Sequence, residues 1–237
     1  HVAVGLGVAK LLAAHRNELP GTVKFVFQPA EEGGGGAERM VADGVLEDPR
    51  PDYSMGMHVW NEKPVGWYVL NPGPMMAGAE IFSVKITGKG GHGAAPHQSV
   101  DPIVAAAQII TALQTITSRN LNPLDTAVVS VCKVDAGTAF NIIPQEAVLS
   151  GTIRTFKPEV DHKVTERFER IVHKTAEALG CQAEISIERV TLPVANDPDL
   201  VALMQDVVKQ IDPNAKIDPA HQTMGSEDFS FMMDDIP

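Results

Sequence analysis

Cysteine is nearly absent. Cys132 and Cys181 are the only two in 237 residues, too few and too far apart for a disulfide framework or a cysteine-rich zinc knuckle. That usage suits a reducing compartment, and cytoplasm is the expected location. Aromatics are scarce at 5%, yet 44% of the residues are hydrophobic. The chain can therefore bury a core as one large domain or two ordinary ones, which excludes disorder and collagen-like repeats. Positive charge is short as well: 19 Lys and Arg stand against 30 Asp and Glu, a net charge of -11. Such a surface repels phosphate backbones, so nucleic acid is excluded as an expected partner. No apolar run reaches the roughly 20 residues of a membrane span. The nearest, Val2 to Ala14, is interrupted by Lys10, so no membrane contact is expected and the protein reads as soluble. The first residue is His1, and helical sequence follows at once without the basic-then-apolar order of a signal peptide. The expectation is a chain that starts inside a larger protein.

What is present alternates between two textures. Val2 to His15 is apolar almost all round, which predicts a helix buried against a sheet. Val23-Lys24-Phe25-Val26-Phe27 is short, β-branched and nearly continuous in hydrophobicity, the pattern of a central parallel strand covered on both faces. A glycine-rich loop, a helical piece near Ala37 to Ala42 and a strand from about Tyr53 to Val59 complete a βαβ unit. From Glu80 the apolar residues alternate, with Phe82, Val84 and Ile86 on one face and Ser83, Lys85 and Thr87 on the other, as in a half-exposed strand. A helix follows, with Asp101 as N-cap and Pro102 at its first position. Strands are predicted over 126–134 and 145–155, the latter placing Ala147, Leu149, Gly151 and Ile153 inward. A second amphipathic helix opens at Pro158 and stops at Gly180, and a last strand holds Ala183, Ile185 and Ile187. Together these make βαββαβ, the ferredoxin-like arrangement. Helix signals resume at Asp197 and Pro198. The expected fold is α/β: a catalytic domain with a mostly parallel sheet, residues 1–78 and 194–237, interrupted by a ferredoxin-like α+β domain over 79–193.

Several residues could carry chemistry. Glu31-Glu32 sits where a buried parallel strand ends and a helix begins, the place where open α/β sheets put their ligands. Neighbouring side chains in extended backbone point opposite ways, so one glutamate could bind a metal while the other faces a metal-bound water as general base. The plainer reading is two acids complementing a helix dipole. His58 ends the next predicted strand on the same rim, either as a nitrogen ligand or as a hydrogen-bonded core residue. The loop Gly88 to His97 lacks the ending of a phosphate loop. Its histidines could project toward a cleft or a partner subunit, or be solvated in a turn. Asn141 lies in Ala139-Phe140-Asn141-Ile142-Ile143-Pro144. Arg154, on the polar face of its strand, fits a fork for a substrate carboxylate or a solvated surface arginine. Met224-Gly225-Ser226-Glu227-Asp228-Phe229 is a compact acidic turn that could support a site from behind.

In order along the chain, Gln28-Pro29-Ala30-Glu31-Glu32-Gly33-Gly34-Gly35-Gly36-Ala37, Gly56-Met57-His58, Gly91-His92-Gly93-Ala94-Ala95-Pro96-His97, Asn141-Ile142-Ile143-Pro144, Gly151-Thr152-Ile153-Arg154 and the 224–229 turn resemble the di-metal amidohydrolases of the aminoacylase and carboxypeptidase family. The likeness is to the branch containing hippurate hydrolase and indole-3-acetyl-amino-acid hydrolase. The resemblance implies a catalytic domain and a lid domain that also dimerises. It implies Glu31 as general base, Glu32 and His58 as metal ligands, and His92 of one subunit polarising the scissile carbonyl in its partner's site. Asn141 and Arg154 match substrate and carboxylate contacts. It also implies two divalent ions, manganese, zinc or cobalt. Two further ligands belong to a Cys-Gly-His-Asp segment preceding the position of His1, and another histidine follows the position of Pro237, so this chain holds two of the family's five metal ligands. Neither Cys132 nor Cys181 replaces the missing cysteine, because both fall in the inserted domain.

The function this implies is metal-dependent hydrolysis of the amide bond of N-acyl amino acids, by a homodimer. Two alternatives share the same features: a metallo-exopeptidase acting on short peptides, and a catalytically silent polypeptide whose inserted domain only dimerises. The chain by itself is expected to be inactive.

Overall fold

The alternation at Phe82, Val84 and Ile86 marks the centre of the best-packed part of the molecule. A computed structural model describes residues 1–234 and 236. In chain order its elements are α1 (Val2–Ala14), α2 (Gly36–Ala42), β1 (Trp67–Val69), β2 (Gly73–Met76), β3 (Gly78–Thr87), β4 (Gly91–His92), α3 (Pro102–Leu113), β5 (Ala127–Ala136), β6 (Ile142–Ile143), β7 (Glu146–Thr155), α4 (Pro158–Ala178), β8 (Gln182–Thr191), β9 (Val194–Asn196), α5 (Pro198–Ile211) and β10 (Lys216–Asp218). The chain divides into two compact units: His1–Met75, Val194–Gln222 and Glu227–Pro237 in the first, Met76–Pro193 and Thr223–Ser226 in the second. Compared with the expected boundaries, residues 76–78 and 223–226 go with the second unit. There the Ala77 N–H lies 3.2 Å from the Thr223 carbonyl and 3.0 Å from that of Gly225.

In the second unit β3, α3, β5, β7, α4 and β8 follow one another as βαββαβ. The sheet order is β5-β7-β3-β8, with every neighbouring pair antiparallel. Phe82, Val84, Ile86, Leu149 and Ile153 are fully buried against Ile109 and Leu113 of α3 and Val164, Phe168 and Val172 of α4. The local signals explain why the helices form where they do. Asp101 accepts from the Ile103 amide at 2.8 Å at the start of α3, Pro158 occupies the first turn of α4, and Gly180 takes φ +74° just beyond α4, a conformation costly for any side chain with a Cβ.

The first unit departs from expectation. α1 forms, but none of its residues is buried and Val2, Val4, Leu6, Val8 and Leu11 are exposed. Val23–Phe27 and Tyr53–Val59, expected as strands of a mostly parallel sheet, lie outside any strand, with Phe25, Phe27, Tyr53 and Val59 exposed. The physical reason is that a strand is a pairing: β-branched composition favours extended backbone but supplies no neighbour to accept its hydrogen bonds. Among the described residues the regular pairing here is limited to short ladders, β1 with β10 in parallel and β2 with β9. A small core joins Ala37 and Leu46 to Met232, with Phe229 and Phe231 against it. α5 opens as read, Asp197 Oδ1 accepting from the amides of Asp199 and Leu200, each at 2.9 Å. No helix among the described residues is long and apolar enough to cross a membrane.

Candidate metal centre and catalytic residues

In the first unit the segment after Phe27 folds into a tight loop that presents Glu31 and Glu32. Its two ends touch. A Cβ at Gly36 would lie 1.7 Å from the Pro29 carbonyl oxygen, so only glycine fits there. Ala30 is held at φ +57°, a left-handed conformation that a non-glycine residue adopts at a cost of about 1 kcal/mol and that tends to collect at functional sites.

Three carboxylates converge. Oxygens of Glu31, Glu227 and Asp228 lie within 4.8 Å of one another. Burial pushes the Glu31 carboxyl above its ordinary range, helped by the charges of Glu227, Glu32 and Asp228 and opposed by His58. Glu227 is raised too, chiefly by burial, with Asp228 adding and the Phe229 amide and His58 opposing. Glu32 and His58 are close enough to Glu31 to act on its charge, but the oxygens that converge with those of Glu31 belong to Glu227 and Asp228, and neither expected ligand is in that group.

His58 is not carried by the expected strand. It is exposed, and Gly56, two residues earlier, lies under the Phe229 ring, where a Cβ would stand 3.1 Å from ring carbons. The His58 Nδ1 lies 2.8 Å from the Val59 carbonyl oxygen. With the proton on Nδ1 that contact leaves Nε2 for an ion, the usual way a protein orients an imidazole ligand. Its ring meets those of His1 and Trp60 edge to face, with centroids 5.3 and 5.2 Å away. Carboxylate oxygens with an imidazole nitrogen suit zinc, manganese or cobalt, and their mutual repulsion is what a dication relieves. The residues present therefore fit such ions.

The acidic turn is part of this centre rather than a backdrop to it. Asp228 is buried and uses both oxygens, accepting from Gln28 Nε2 with one and from the Ala37 amide at 3.1 Å with the other. Glu227 Oε1 accepts from the Phe229 amide at 3.1 Å. The sequence signal was there, two acids in a short turn, but nothing local ties that turn to Glu31.

In the second unit β4 pairs with β6, His92 opposite Ile142, and the Gly93 amide donates to the Asn141 carbonyl at 2.8 Å. His92 and Asn141 are thereby neighbours, both exposed. The His92 Nδ1 accepts from the Ala94 amide at 3.1 Å, which puts the ring proton on Nε2. Arg154 donates from Nε to Thr152 Oγ1 at 3.0 Å and from Nη1 to Ser226 Oγ at 2.8 Å. Both partners are hydroxyls. Among the described residues no carboxylate pairs with this guanidinium, in a chain with a surplus of acids.

The first unit thus carries a cluster of acids with an imidazole near it, and the second, an α+β unit, an arginine whose partners are hydroxyls. The chain belongs to peptidase family M20/M25/M40, which it matches over residues 1–237. It is 40% identical over 237 residues to N-acetyl-L-cysteine deacetylase of Bacillus subtilis (strain 168), covering 100% of this chain and 56% of that one. It is 41% identical over 244 residues to IAA-amino acid hydrolase ILR1-like 4 of Arabidopsis thaliana, covering 100% and 54%. The crystal structure of the Bacillus subtilis YXEP protein, a dinuclear metal binding peptidase from the M20 family, superposes with a TM-score of 0.84 at 36% identity, covering 100% of this chain and 60% of that one. The chain thus spans about half the length of the curated relatives it matches.

Proposed function

We propose that the whole protein hydrolyses the amide bond of N-acyl amino acids with two divalent metal ions. The observation that carries this reading is the convergence of the Glu31, Glu227 and Asp228 carboxylates within 4.8 Å of one another, with Glu32 and His58 near enough to act on the charge of Glu31. Family membership and the deacetylase and hydrolase relatives support it.

When bound, the ions supply Lewis acidity for activating water and polarising the amide carbonyl. Glu32 and His58 would hold them. Glu31 takes the proton of the attacking water and passes it to the leaving amine, a task that favours a carboxyl whose proton affinity is raised. His92 Nε2–H donates to the carbonyl oxygen as charge develops there, acting from one subunit on its partner's site. Asn141, beside it, contacts the substrate. Arg154 presents its remaining N–H groups to the substrate carboxylate. In this reading the second unit is a lid that also makes a homodimer, and the protein works in the cytoplasm.

The test uses the whole protein, stripped by a chelator and reconstituted with manganese, zinc or cobalt. N-acetyl, N-benzoyl and indole-acetyl amino acids are assayed beside unblocked di- and tripeptides. Metal-restored release of free amino acid from the acylated substrates is expected. Cleavage confined to unblocked peptides, or hydrolysis indifferent to the chelator, overturns the assignment.

A further inference from the structure

The acidic turn contains a group that the hydrolytic scheme leaves without a task. Asp228 is 2% exposed, and a buried carboxylate needs hydrogen bonds to offset its desolvation. It has them from two places 200 and 191 residues away in sequence: the Gln28 side-chain amide and the Ala37 backbone amide. These two donors flank the Glu31-Glu32 loop. Gln28 enters it, Ala37 leaves it, and the backbone pinches together at Pro29 and Gly36 between them. One carboxylate therefore ties both ends of the loop to the turn 227–231. Through the same turn Glu227 is brought against Glu31 and Phe229 against Gly56, two residues before His58.

We propose that Asp228 is a positioning residue that clamps both ends of the loop carrying Glu31 and Glu32 and sets the direction of the two carboxylates. Its two oxygens are taken up by those two donors. The inference rests on the hydrolytic reading for the tasks of those glutamates, but the clamp itself is a statement about the loop. A loop released at one end lets Glu31 and Glu32 drift by a fraction of an ångström to an ångström, and misplacement on that scale costs about hundredfold in turnover.

The experiment is a hydrogen-bond swap in the whole protein. Asp228→Asn keeps an acceptor for Ala37 but turns a donor toward the donor of Gln28. Adding Gln28→Glu restores a complementary pair and the charge count. Asp228→Asn is expected to lower kcat by about tenfold to hundredfold, with KM changed less than about threefold, and to speed amide exchange across residues 31–37. The double variant is expected to recover at least about tenfold in kcat and to restore the protection. If Asp228→Asn does not fold, Gln28→Ala removes one arm alone and is expected to lower kcat severalfold. Unchanged kcat in a folded Asp228→Asn or Gln28→Ala protein overturns the clamp, as does a double variant that recovers neither kcat nor protection. Should the wild type cleave only peptides, the substrate assignment fails. The same variants measured on peptides, with the same exchange experiment, still decide the clamp.

Discussion

Gly151 offers a sharp test of the packing that carries Arg154. It lies on β7 opposite Phe82 of β3 and Val131 of β5, beside the irregularity where the β5 register shifts between Val131 and Lys133. A Cβ added there would stand 1.9 Å from the Ser130 carbonyl oxygen, 2.5 Å from Phe82 Cζ and 2.9 Å from Phe82 Cε1, where ordinary contact begins at 3.4 Å. Both the ladder and the ring would have to give, the ladder by more than an ångström. Neither has room: Phe82 is fully buried and its ring lies on Phe168 with centroids 4.6 Å apart, and the oxygen belongs to backbone within the sheet. Overpacking of a well-filled core costs about 1–3 kcal/mol, and a contact with backbone on one side puts Gly151→Ala at the upper end, about 3 kcal/mol. At roughly 2–4 °C per kcal/mol for a chain of this size, the melting temperature should fall by about 6–12 °C, read by circular dichroism or calorimetry. Phe82→Leu combined with Gly151→Ala should cost less than the sum of the two, because the ring contact is shared. It should still fall short of the Phe82→Leu single variant, because the Ser130 oxygen remains. A Gly151→Ala protein melting within about 2 °C of wild type would refute this account of the strand.

Two other outcomes follow from titratable groups. Glu80, buried in the second unit, is held above the ordinary carboxyl range, chiefly by burial and then by Asp161, against the pull of Arg189. The folded state thus grips its proton more tightly than the unfolded chain does. The stabilisation that comes with that proton is present below the ordinary value of 4.5 and is lost as pH rises through the raised folded value. The stability of Glu80→Gln relative to wild type should therefore improve between about pH 4 and about pH 7 in urea unfolding, and a flat difference would contradict the reasoning. Burial, with Asp101 adding, pushes the Cys181 thiol up, whereas Cys132 is exposed. Iodoacetamide should label Cys132 and spare Cys181 until the protein unfolds, a result read by mass spectrometry; equal labelling of both in the native state would count against the packing around Cys181.

The second unit was legible from local chemistry. Alternation in β3 and β7, the Asp101-Pro102 start of α3 and the amphipathic α4 each specify an element through neighbours a few residues away, as does the Asp197-Pro198 start of α5 in the first unit. The first unit was less so. Val23–Phe27 and Tyr53–Val59 were expected as strands, Val23–Phe27 covered on both faces, but hydrophobicity says how many faces want cover and not which strand supplies it, and among the described residues none does. Glu31, Glu32 and His58 could be singled out because motif and residue type mark them. Glu227 and Asp228 were visible as an acidic turn, yet their partners Glu31, Gln28 and Ala37 lie nearly the whole chain away. A contact of that range leaves no spacing to read.

The proposed division of labour, in which Glu31 moves the proton while Glu32 and His58 hold the ions, is tested most directly by measuring metal content and turnover together in the whole protein. Glu31→Gln should retain wild-type metal stoichiometry and lose about 10²–10⁴ in kcat on N-acyl amino acids, whereas His58→Ala should lose bound metal. Wild-type turnover in Glu31→Gln, or full metal content in a His58→Ala protein that remains active, would contradict it.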